Sequence, residues 1–138
     1  MKKVLILLLI TLSLSTQAQR IVKNKTLKTT DLGNQKLEVS IADNDTLYVM
    51  FIKSGSVAKK YITVELGNSK DALRILQFLL DADISGDDVI NLENPSNNPV
   101  KKNPLGGYLV YSEGHAFSGQ LRKPNIKGFI KAIQDFSK

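Results

Sequence analysis

The string Asp81-Ala82-Asp83-Ile84-Ser85-Gly86-Asp87 is where this sequence comes nearest to recognisable chemistry. Oxygen side chains at alternate positions, followed by a glycine that allows a sharp turn, form the first half of a calcium loop of the EF-hand or dockerin kind. The second half departs from that pattern. Asp88 stands where an apolar residue belongs, Leu92 stands where the bidentate glutamate belongs, and Glu93 comes one residue late. The proline-rich stretch beyond forbids an exiting helix. Asp81, Asp83, Ser85 and Asp87 are therefore weak calcium candidates, and a polar turn whose aspartates cap backbone groups is the plainer reading. No other cofactor is implied.

His115 is the only imidazole, with Ser112 and Ser118 near it in the chain. A serine triad needs a nucleophile on a strained turn, a base and an oxyanion hole, and no G-x-S-x-G pattern is present. Glu65 and Glu113 are a conceivable acid pair for glycoside hydrolysis, but nothing in the sequence sets their separation. The chain has no cysteine, which excludes disulfides, thiol catalysis, cysteine-ligated metals and a lipid anchor on an N-terminal cysteine. One histidine excludes a multi-histidine metal site within one chain. No catalytic residue is assigned, and the chain reads as non-enzymatic.

Binding chemistry is carried by cations and aromatics. Lys59-Lys60, Lys101-Lys102 and Arg122-Lys123 are solvated faces, or else a rim that docks an anionic glycan, a lipid headgroup or an acidic partner. Tyr108 and Tyr111 fall on opposite faces of one strand, so one packs inward while the other faces out beside Gly106-Gly107. Lys101, Lys102, Tyr108, Tyr111 and His115 make up the candidate interaction surface.

These residues need elements to hold them. Residues 21–30 read as an irregular or edge strand. Leu37, Val39 and Ile41 alternate with polar neighbours, which predicts a strand with one wet face. Leu47 to Ile52 is apolar on both faces, as a central strand would be, and Ile62, Val64 and Leu66 alternate again. Short turns between them predict an antiparallel meander. Asn68 or Ser69 then caps a helix, with Asp71 in its positive first turn and an apolar face from Ala72 to Leu80. Val89 to Leu92 allows a short strand. Glu93 to Pro104 holds three of the four prolines and four asparagines, and reads as a long loop suited to contact. Residues 106–111 and 116–121 predict a hairpin. Pro124 opens a last helix, whose stripe of Ile126, Phe129, Ile130, Ile133 and Phe136 leaves Lys127, Lys131 and Lys138 outside it. Gly128 offers that helix a close approach to the sheet. The fold class expected is α+β: an antiparallel sheet of about six strands with two helices packed on one face, in the order β-meander, helix, long loop, β-hairpin, helix.

Residues 1–18 have the layout of a secretory signal peptide: Lys2 and Lys3, an apolar run from Val4 to Ile10, and Thr16-Gln17-Ala18 before a cut at Gln19. The apolar run is too short to span a membrane comfortably. Residues 19–138 then form one domain. Its lack of disulfides favours a bacterial periplasmic or secreted address over a eukaryotic secretory route. Loss of Lys2 and Lys3 lowers the formal charge from +6 to +4. That charge lies in basic flanks around an acidic middle, where residues 65–95 hold seven acidic and two basic side chains. Blocks of this kind, without interleaved aromatics, do not make a nucleic-acid footprint. The expected function is a binding module for a protein or an envelope polymer, with no nucleic-acid partner and no membrane span after cleavage. Two alternatives stay open: a small-ligand binder with a pocket between sheet and helices, and a small hydrolase using His115 or the aspartates.

Overall fold

The structure, a computed structural model, describes residues 24–30, 34–41, 44–53, 60–112 and 118–138. Residues 1–18, expected to be a leader, lie outside the described residues, as do Lys59, Glu113 and His115. Strands β1 (Asn24–Thr30), β2 (Gln35–Ser40), β3 (Thr46–Lys53) and β4 (Lys60–Gly67) form the predicted antiparallel meander in the order β1-β2-β3-β4. The alternation of apolar and polar residues sets the two faces. Leu37, Val39, Leu47, Val49, Phe51, Ile62, Val64 and Leu66 are all buried on one side. Lys36, Glu38, Tyr48, Met50 and Glu65 are half-buried on the other, where Thr63 is exposed. Ile41, the last apolar residue of the β2 pattern, falls beyond the strand and is 55% exposed.

Helix α1 (Ser69–Asp81) starts where the capping signals place it: Asn68 Oδ1 accepts the Asp71 N–H at 2.9 Å. Ala72, Ile75, Leu76 and Leu79 are buried. Helix α2 (Lys123–Phe136) has Pro124 in its first turn and buries Ile126, Phe129 and Ile133. The two helices pack against each other, α1 also against β3 and β4, and α2 against β1.

The single sheet of about six strands is not what forms. Strands β5 (Val89–Asn91), β6 (Pro99–Lys102), β7 (Tyr108–Tyr111) and β8 (Ser118–Leu121) make a second four-stranded antiparallel sheet, in the order β5-β6-β7-β8. No strand of it pairs with β4. Instead β8 folds over the inner face of the first sheet, with Gly119 against the ring of Phe51. The physical reason is coverage. Eight large apolar side chains line that inner face, and the hairpin hides its Phe51 end from water. Val100, Tyr108, Val110 and Leu121 join the same core.

The expected long loop is also corrected, because β6 lies inside it. Asn94 and Asn98 are buried and tie the β5–β6 turn together. Asn94 Oδ1 accepts the Asn98 N–H at 3.0 Å, and Asn94 Nδ2 donates to Asn98 Oδ1 at 2.7 Å. Pro99 stands at the first position of β6, where a missing ladder donor is tolerated.

Candidate interaction surface

Of the four aspartate-turn candidates, Asp81 and Asp87 meet different side-chain partners. Asp81 accepts from Gln77 Nε2 at 2.8 Å, one helical turn back. Asp87 pairs with Lys101 Nζ at 2.9 Å, so a cation already meets its carboxylate. The bond to Lys101 and its charge hold the Asp87 carboxyl below the ordinary carboxylate range and raise the Lys101 ammonium above its own. The Ser85 carbonyl accepts the Asp88 N–H at 2.9 Å, which closes the turn on itself. Among the described residues, no three histidine, aspartate or glutamate side chains form a group fit to hold a metal.

The interaction-surface residues divide between the faces of the second sheet. Tyr108 is 3% exposed and donates its hydroxyl to the Ala82 carbonyl at 2.8 Å. Burial, with a smaller contribution from the Asp83 charge, raises its phenol above the ordinary value. Tyr108 is therefore a core residue and not a contact residue, because its hydroxyl is spent inside the protein. Tyr111 is half-buried on the opposite face, as alternation predicts, and that face also carries Lys101. Lys102 is turned the other way. With Asp83, Gly107, Tyr108 and Lys123 it borders a pocket of about 100 Å³, well below the ~300 Å³ at which ligand sites begin. A second hollow, of about 190 Å³, lies between Phe78, Leu92 and the ion pair of Arg74 with Glu93.

A larger feature has no counterpart among the sequence candidates. An open groove of about 450 Å³ runs between β1 and α2. Its construction follows from two local facts. First, β1 carries a bulge between Thr26 and Lys28, so that Lys25 pairs with Val39 and Lys28 with Leu37. Val39 and Leu37 both point to the inner face, so both lysines turn toward α2. In a regular strand, residues three apart would point to opposite faces. Second, α2 presents small residues there, Gly128 and Ala132, which leave the space unfilled. The terminal methylene of Lys28 lies across Gly128, and the Lys25 ammonium sits 5.9 Å above the centre of the Phe136 ring. Lys131 lines the groove from the helix. Asp135 also lines the groove, and Lys138 engages its carboxylate at 3.4 Å.

Part of this site was visible in the sequence. Lys131 falls outside the apolar stripe of α2, and Lys25 and Lys28 lie in a polar edge strand. What was missing was the bulge, since no turn residue announces it. Compared with known proteins, the chain matches no family model, no curated protein and no solved structure.

Proposed function

We propose that the protein is an exported, non-enzymatic binding module of a bacterial envelope, and that it holds an anionic partner in the groove between β1 and α2. The observation that carries this reading is the groove: Lys25, Lys28 and Lys131 line it together with the apolar Leu27, Ala132 and Phe136. Its volume of about 450 Å³ falls within the range of ligand sites. A low-dielectric lining beside these charges strengthens the attraction for an anion. Export is supported by the leader pattern of residues 1–18, and the non-enzymatic reading by the absence of a nucleophile motif from the sequence. No helix among the described residues is long and apolar enough to cross a membrane.

The apolar lining favours one second reading, a small anionic amphiphile in place of a polymer or protein. A titration of the ¹⁵N-labelled protein with polyglutamate and, separately, with octyl phosphate separates the two. The expected result is amide shifts concentrated at Lys25, Lys28, Gly128, Lys131 and Phe136, lost in a Lys25→Glu/Lys28→Glu variant. A response to octyl phosphate alone selects the amphiphile. Shifts spread evenly over all surface lysines, or none with either probe, overturn the groove as the site.

A further inference from the structure

One wall of the groove is the edge of a sheet. β1 pairs with β2, no strand among the described residues pairs with its other side, and most of its seven residues are exposed. Such an edge offers a row of backbone N–H and C=O groups to any extended chain. A second copy of β1 is a poor occupant. The strand Asn24–Thr30 carries Lys25 and Lys28 and no acidic residue, so pairing it with itself would gather ammonium groups across the new ladder. The same lysines favour the opposite partner. The bulge turns both to one face, where Lys131 stands across the groove. The groove carboxylate of Asp135 is turned to Lys138.

Resting on the groove reading above, we infer that the free edge of β1 takes an extended acidic segment of a partner protein as a fifth strand of the first sheet. Backbone pairing along β1 supplies affinity. Carboxylates at alternate positions, all on one face of the added strand, meet Lys25, Lys28 and Lys131 and set the register. The residues between those carboxylates turn to the opposite face of the added strand, away from the groove.

The test uses the full chain and three probes: an eight-residue peptide alternating Glu with Val, the same peptide N-methylated at every second backbone amide, and heparin as an anionic polymer. N-methylation at alternate amides keeps every charge and removes the backbone donors along one edge of the peptide strand. The expected outcome is that the unmodified peptide binds and slows hydrogen exchange at the amides of β1. The N-methylated peptide should bind about tenfold more weakly or worse, and the Lys25→Glu/Lys28→Glu variant should lose about tenfold or more with an unchanged urea midpoint. Equal binding of both peptides, or heparin binding while neither peptide does, overturns strand addition and leaves the anionic groove standing. If only octyl phosphate shifts the groove amides, the peptide partner is overturned and the amphiphile reading stands. If no anion perturbs the groove, both fall, and the lysines serve only to guard an exposed edge.

Discussion

Gly119 leaves no room for even a methyl group. A Cβ added there would overlap Cγ and both Cδ atoms of the Phe51 ring. Since Phe51 is 4% exposed and held in the core, it has nowhere to go. Gly119→Ala should therefore cost about 1–3 kcal/mol through overpacking, read as a lower urea midpoint. Pairing it with Phe51→Leu should recover part of that cost, because the two changes share one contact. An unchanged midpoint would mean that β8 does not rest on the first sheet. Gly107 is constrained twice over: its φ is +76°, and a Cβ would overlap the Leu121 carbonyl oxygen. Legibility differs among such residues. Alternation told that Tyr108 and Tyr111 oppose one another, since side chains of a strand point to alternate sides. It did not tell which one is buried, because that depends on Ala82, 26 residues away, accepting the Tyr108 hydroxyl.

Between the two sheets, a pair of asparagines does the work that backbone ladders do elsewhere. Asn94 Nδ2 donates to the Glu65 carbonyl of β4 at 2.8 Å, and Asn98 Nδ2 donates to the Tyr111 carbonyl of β7 at 2.9 Å. The turn between β5 and β6 is thus bonded to both sheets at once. Asn94→Ala should strip the Glu65 carbonyl and the Asn98 N–H of partners in a buried place, at a cost of about 2–4 kcal/mol. Ser96→Ala in the same turn is exposed and should stay within ~0.5 kcal/mol. Chemical denaturation of the two variants checks the contrast, and equal midpoints would remove Asn94 from the joint. Strands β2 and β4 and both helices were legible because each repeats a period over its length, two in the strands and 3.6 in the helices, and β3 because it is a run apolar on both faces. Strand β6 was not legible. Its proline and the asparagines beside it carry loop propensity, and only long-range partners turn them into structure.

A chain without cysteine has no disulfide to hold it, and one connected core serves both sheets and both helices. Charge is distributed on the same whole-molecule basis. The basic flanks of the sequence supply the groove from opposite ends of the chain, Lys25 and Lys28 from one and Lys131 from the other. The acidic middle lies elsewhere, where Asp87 meets Lys101 and Glu93 meets Arg74. Export should remove residues 1–18, and with them two lysines. Intact mass of the protein recovered from a Gram-negative host expressing the full chain should begin at Gln19, in the periplasmic or secreted fraction. A full-length mass retained in the cytoplasm would end the exported reading.

Composition and local pattern determined the α+β class, the order of the meander, both helices with their starts, and the exclusion of thiol and multi-histidine chemistry. These depend on residues a few positions apart, where sterics, capping and burial of one face suffice. Tertiary structure decided that the strands divide into two sheets, that Tyr108 faces the core, and that lysines from both ends of the chain share one groove. Each of those turns on contacts between residues far apart in sequence, as Phe51 with Gly119 and Lys28 with Gly128 are. Local propensity is silent about them, and coverage of the common apolar face decides.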